Sequence, residues 1–146
     1  MLDFIEIDIY SEIHKKITFD ILNTRKYNIS HLKQIDFLEH EDFFQNHPYR
    51  NWYLIKFESD YIGTLYLSNE NIIGINFIKY NKTFLKKTIN FVLDEHEPLP
   101  PIKSIRSDSF LINVHPDNSK LSSFLVDNGA IHIQSTYKLE KMSQTS

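Results

Sequence analysis

The sequence predicts an α+β domain in three layers. Its mixed sheet has an antiparallel meander joined to one further strand by a parallel crossover, in the order β-α-α-β-β-β-α-β-α-β. Three observations lead there. Residues 51–79 hold three apolar, β-branched and aromatic runs separated by two polar turns, Glu58-Ser59-Asp60 and Ser68-Asn69-Glu70-Asn71, the pattern of consecutive hairpins. Other stretches carry apolar residues at i, i+3, i+4 spacing, several of them behind a residue able to cap a helix. One of these lies between the third run and a fourth apolar run at 110–114, and parallel neighbours need a crossover of that length.

Taken in order, Phe4-Ile5-Glu6-Ile7-Asp8-Ile9-Tyr10 alternates apolar and acidic residues with the period of a half-exposed strand. Ser11 is the N-cap of a helix whose apolar stripe is Ile13, Ile17, Ile21 and Leu22. From Asn23 to Gln34 the signals are mixed, a surface loop anchored by Ile29 and Leu32. Asp36 caps a second helix, in which Phe37, Leu38, Phe43 and Phe44 surround the acidic Glu39-His40-Glu41-Asp42, and Pro48 ends it. The meander follows at 51–57, 61–67 and 72–79. Its first strand opens with Trp52, the sole tryptophan and a core candidate. Its last strand is apolar at nearly every position and is expected to be buried on both faces.

Phe84, Leu85, Ile89, Val92 and Leu93 then mark a helix over about 82–96. A buried strand therefore feeds a helix N-terminus, where free N–H groups and the helix dipole favour an anion. Glu97-Pro98-Leu99-Pro100-Pro101 is a stiff surface connection. Residues 102–109 read as a loop or short edge strand, and 110–114 as a short buried strand that stops at His115-Pro116. Asp117 or Asn118 caps a last helix carrying Leu121, Phe124, Leu125 and Val126, and Asn128-Gly129 ends it in a left-handed cap. Residues 131–139 alternate as a final strand, and 142–146 read as a frayed tail.

A chain of 146 residues, 41% hydrophobic, makes one domain spanning 1–146 that buries about 70% of its unfolded surface. A net charge of −3 supplies no field toward nucleic acid or an anionic membrane. No cysteine is present, which removes disulfides, thiolate catalysis and Cys-type zinc sites. The acidic N-terminus lacks the bases of a signal peptide and no apolar run reaches membrane-spanning length, so a soluble, cytoplasmic, unprocessed chain is expected.

Lys79, Lys82, Lys86 and Lys87 gather where the third meander strand meets its helix; they either neutralise phosphates at the helix N-terminus or form the solvated face of an amphipathic helix. Of the seven histidines, those in Glu39-His40-Glu41 and Glu95-His96-Glu97 sit on polar helix faces or ends, and no His-x-x-x-His pair exists, so no metal site is expected. His47 and His115, each before a proline at a strand end, are packing residues or general bases. No Gly-x-Ser-x-Gly elbow occurs among three glycines. Tyr49, Tyr53, Tyr61 and Tyr66 read as cross-strand pairs rather than base-stacking platforms.

The order of elements, together with residues 47–55 and 61–67, Asn71-Ile72-Ile73-Gly74-Ile75, and Asn113-Val114-His115-Pro116-Asp117-Asn118 through Asp127-Asn128-Gly129-Ala130, resembles the GNAT superfamily of acyl-CoA-dependent N-acyltransferases. The likeness covers about Asp36 to Glu140, with residues 1–35 divergent. It implies that the last meander strand and the 110–114 strand splay apart to admit acetyl-CoA as cosubstrate. Phe77 and Ile78 would hold the thioester, Lys82 with the N–H groups of Thr83 and Phe84 the phosphates, and Asn118 the cofactor arm. Glu70, or water ordered by His115, would be the base.

The family's glycine-rich phosphate loop reads Tyr80-Asn81-Lys82-Thr83-Phe84-Leu85 here. Glycine in such a loop allows close backbone approach and positive φ, so its absence weighs against tight cofactor binding. The family's thiolate-protonating tyrosine falls on Leu125, and an acid of its base relay on Ile72. The expected activity is acetyl or acyl transfer to the primary amine of a small molecule such as an amino sugar; the alternative is a GNAT-like binding domain without catalysis. The expected partners are that amine and a second copy of the chain, with no nucleic acid or membrane.

Overall fold

A computed structural model describes residues 1–24 and 36–141. Ile29, Leu32 and the expected tail at 142–146 lie outside the described residues. The elements are β1 (Leu2–Glu6), α1 (Glu12–Leu22), α2 (Phe37–Asn46), β2 (Asn51–Phe57), β3 (Asp60–Leu67), β4 (Ile73–Phe77), α3 (Lys82–Glu95) and α4 (Ser119–Asp127). The four strands form one antiparallel sheet in the order β1-β2-β3-β4, so the fold is mixed α+β. The helix caps fall where the sequence puts them. Ser11, Asp36 and Asn118 each accept a backbone N–H from the third residue on, and so does Asn81 at the start of α3.

One sheet face carries Tyr53, Ile55, Leu65, Leu67 and Ile73, which close on Val92 of α3 as the buried core. Burying each such aliphatic side chain contributes about 1.5–3 kcal/mol. Phe91 of α3 stacks on Phe4 at 4.1 Å and meets Tyr53 edge-on at 5.3 Å, so one helix fastens β1 to β2. The Tyr53 hydroxyl lies 2.8 Å from His96 Nε2, which ties down the C-terminal end of α3. Between Ile55 and Lys56 the β2–β3 register shifts, leaving Ile62 without a partner on β2. Beside it, a Cβ on Gly63 would stand 2.3 Å from the Asn76 carbonyl oxygen. Only glycine fits so close to the neighbouring strand.

The opposite face carries Trp52, which is 4% exposed and meets Phe43 and Phe44 of α2 at 5.8 and 5.5 Å. α1 packs against β3 and β4. Between α1 and α2, polar contacts stand beside an edge-on contact of Phe19 with Phe37 at 5.1 Å. Lys15 Nζ lies 2.9 Å from carboxylates of both Glu12 and Glu41, whose hydrogen bonds raise its pKa. Thr18 Oγ1 lies 2.8 Å from His40 Nε2. His40, expected on a polar helix face, is instead buried, its Nε2 also 3.0 Å from the Lys15 carbonyl of α1.

Three expectations are corrected. β4 is not buried on both faces; Ile73 alone is buried and the rest of the strand is half-exposed, because its outer edge borders a cleft. The 110–114 segment meets the sheet through a single parallel bridge, Ile72 to Leu111, rather than a full strand. Residues 131–139 form no strand; every one is exposed. Their alternation is sound, but alternation specifies a face and not a partner.

Candidate functional site

Ile73 N–H donates to the Leu111 carbonyl at 2.8 Å and Leu111 N–H to the Asn71 carbonyl at 2.9 Å, and beyond these bonds the two segments part. The gap opens into a cleft of about 440 Å³ between β4 and residues 112–121. Backbone groups alternate sides along a strand, and Ile73 already points outward. Ile75 and Phe77 therefore turn their N–H groups toward the gap, with no backbone partner among the described residues. Ile78 does not: its N–H donates to the Ile62 carbonyl at 2.9 Å. Of the two backbone positions expected to hold a thioester, Phe77 is open to the cleft and Ile78 N–H is committed to the sheet.

Asn71 fixes the point of divergence. It is fully buried, with φ of 64° in the turn between β3 and β4. Its Nδ2 donates to the carbonyls of Leu99 and Ser107, and its Oδ1 accepts the Leu99 N–H, all within 2.9 Å. Asparagine tolerates this left-handed conformation, and its amide offers both a donor and an acceptor. The signal was visible as an asparagine before an apolar run, yet partners 28 and 36 residues away were not.

At one end the cleft is aromatic. Tyr49 stacks on Tyr66 at 4.0 Å with 9° between the rings, and Trp52 meets Tyr49 edge-on at 5.3 Å. Gly74 makes the floor: a Cβ there would lie 1.9 Å from Tyr66 Cε2, so only a glycine lets that ring lie flat on β4. Ring pairing of the tyrosines is legible in the sequence, whereas the cleft that Tyr49 and Tyr66 wall is not; the glycine inside an apolar strand is the available clue. His47 packs on Trp52 at 5.0 Å, and burial lowers its pKa.

The other end is basic. Lys120 Nζ sits 5.7 Å over the Tyr80 ring, both lining the cleft. A second hollow of about 310 Å³, between α3 and α4, is lined by Lys82, Thr83, Lys86 and Lys87 with Asn128. Lys82 and Thr83 are exposed there. Phe84 N–H is not free to meet a phosphate, because Asn81 Oδ1 accepts it at 3.0 Å. Asn118 lines the larger cleft, where its Oδ1 caps α4 by accepting the Leu121 N–H at 3.3 Å.

His115 lines the cleft half-buried, its Nδ1 accepting the Asp117 N–H at 3.1 Å. Glu70 does not reach it: the side chain is exposed on the turn before β4. The described lining contains no carboxylate. Among the described residues no group of three or more His, Asp or Glu converges, and no helix is long and apolar enough to cross a membrane.

A crystal structure described as that of a possible acetyltransferase from Clostridium difficile 630 superposes with a TM-score of 0.57 over 98% of this chain and 99% of that chain, at 8% sequence identity. The likeness is one of fold. No protein-family model and no curated protein matches the sequence.

Proposed function

We propose that this protein is a GNAT-type N-acyltransferase that moves an acetyl or acyl group from acyl-CoA to the primary amine of a small molecule such as an amino sugar. The observation that carries the reading is the splayed gap beside β4. The outward N–H groups of Ile75 and Phe77 can pair with an extended amide chain, and the gap leads toward helix N-termini flanked by lysines. These residues fit acetyl-CoA with one change from the family habit. Lys82, Lys86 and Lys87, with the Thr83 backbone, would meet the phosphates in place of a glycine-rich loop. The Asn118 amide would meet the cofactor arm.

Acetyl-CoA would supply the activated acyl group. Phe77 N–H would hold the developing oxyanion, and His115 would take the amine proton, directly or through a water it orders. Glu70, exposed outside the cleft, has no part in this arrangement. A cytoplasmic setting suits a chain without cysteine.

A second reading is favoured by the lack of a carboxylate in the described lining and by Leu125 where relatives protonate the thiolate. On that reading the same cleft binds a ligand without turning it over. Calorimetric titration with acetyl-CoA, beside free CoA and a Lys82→Ala variant, is the first test. Binding is expected, weakened by roughly 1–2 kcal/mol in Lys82→Ala and by added salt. No heat and no thermal shift at millimolar acetyl-CoA would overturn the acetyltransferase reading. Binding without turnover of any amine would favour the second.

A further inference from the structure

The sheet face beneath α1 holds a polar pair that the fold does not use. Thr64 of β3 and Asn76 of β4 stand opposite each other in the register, and both line the cleft. Thr64 is 5% exposed, and its hydroxyl makes no hydrogen bond among the described residues; nor does the half-buried Asn76 amide. The one unpartnered side-chain atom sealed from solvent among those residues is His40 Nδ1, so both groups are reached through the cleft. Buried polar groups are otherwise paired, and valine would give the strand the same branched shape without an oxygen. The oxygen at Thr64 is therefore placed for a ligand.

The neighbours of the pair say what that ligand is. Asn76 lies between Ile75 and Phe77, whose N–H groups turn toward the gap, so the pair stands beside the backbone that would hold an acyl group. Side chains two apart share a face, and the next step along it brings Tyr66 and Gly74, with Tyr49 stacked on Tyr66. α1 packs over β3 and β4, and its last residue, Leu22, lines the same space.

This end is flat and uncharged. Lys120, at the far end, is the one charged side chain in the described lining. The Thr24 hydroxyl nearby already donates to the Ile21 carbonyl at 2.7 Å. A sugar would bring more hydroxyls than such a lining can pair, and unpaired groups are costly. An aromatic ring stacks on tyrosine without needing any partner.

We propose that the acceptor is a primary amine carried on an aromatic ring, the ring stacking at Tyr49 and Tyr66 and the amine donating to Thr64 Oγ1 and Asn76 Oδ1. The inference rests on the acyltransferase reading and names the substrate class of that same site. Thr64 and Asn76 are positioning residues: each accepts one amine N–H, which leaves the nitrogen lone pair free to face the acyl carbon at Phe77. In the transfer the N–C bond forms and the thioester C–S bond breaks. The amine gives up one proton to His115, and the CoA sulfur leaves as a thiolate that takes a proton from solvent.

Ligand-observed NMR titration without cofactor, with phenethylamine and glucosamine as probes, tests the site directly. Phenethylamine should bind roughly tenfold or more tightly than glucosamine. Thr64→Val should weaken phenethylamine roughly three- to tenfold, the worth of one hydrogen bond, while its denaturation midpoint stays level or rises. Thr64→Ser, which keeps the oxygen, should bind as the parent does. Glucosamine binding as tightly as phenethylamine would overturn the proposal, as would no binding of phenethylamine or equal affinity in Thr64→Val. Phenethylamine bound in this pattern but never acylated beside acetyl-CoA would uphold the amine site and overturn the transfer reading alone. Acetylation of glucosamine but not of phenethylamine would do the reverse.

Discussion

Residues 50–95 and residues 96–141 are equal in length and are held in different ways. The first stretch contains Trp52, Leu54, Ile55, Leu65, Leu67, Ile73 and Val92, all buried. In the second, Phe124 is the one buried side chain among the described residues. What fixes the second stretch is polar contact between side chains and backbone, most of it side chains of the first stretch catching backbone of the second. Asn71 holds Leu99 and Ser107, and Arg50 Nη1 donates to the Glu97 carbonyl at 2.9 Å. Arg106 Nε donates to the Pro100 carbonyl at 2.7 Å while its Nη1 reaches back to the Asn69 carbonyl at 3.0 Å. Apolar burial builds a sheet that stands by itself, whereas directed polar contacts set a flanking segment at a chosen distance from it. A cleft results where the second segment is held but not zipped.

The largest effect that bears on this contrast is expected from Trp52→Ala. Trp52 is 4% exposed between α2 and the sheet, and its truncation should cost about 3–5 kcal/mol, read as a fall in denaturation midpoint at unchanged m-value. A midpoint that does not move would show that burial does not govern the first region.

Asn71→Ala attacks the joint. It leaves the Leu99 N–H and the Leu99 and Ser107 carbonyls unpaired and puts alanine at positive φ, at a cost of roughly 2–4 kcal/mol. Hydrogen exchange should rise at Leu99 and Leu111 while the core strands stay protected. Uniform loss of protection would mean that the two regions form one cooperative unit.

Acid should act more gently, through three histidines that lie outside residues 50–95. Burial is the leading cause that lowers the pKa values of His40, His47 and His96, with Lys15 adding to it at His40 and Arg50 at His96. Each is kept neutral in the folded state, while the unfolded chain takes up its proton near pH 6.5. Stability from these groups is complete above that value and falls as pH drops through it, by up to about 1.4 kcal/mol per pH unit for each proton. Urea titrations between neutral and mildly acidic pH should show the fall. A flat profile would show that the fold does not hold these histidines neutral.

The contrast also explains what the sequence disclosed. The meander was legible because period-two runs sit beside short polar turns, and hairpin partners are neighbours in the chain. All four helices were legible from Ser11, Asp36, Asn118 and the apolar stripes. The 110–114 and 131–139 runs carry equally clear patterns, yet their partners are distant in the chain, and only one bridge and no pairing result. Of the expected site, Phe77, Asn118 and His115 meet at one cleft. Glu70 and the N–H groups of Ile78 and Phe84 do not serve it, since turn geometry, strand alternation and the Asn81 cap decide where those groups point.

Trp52 has a further consequence for watching the protein at work. It is the sole indole, and the cleft lies against it at the aromatic end, beside Tyr49 and Tyr66. Its fluorescence therefore reports one place without any label. A molecule that settles at the tyrosine end alters that emission directly, whereas one held by Lys82 and Lys86 leaves it nearly untouched. The chain thus carries its own optical means of telling the aromatic end of the cleft from the lysine-lined hollow beside it.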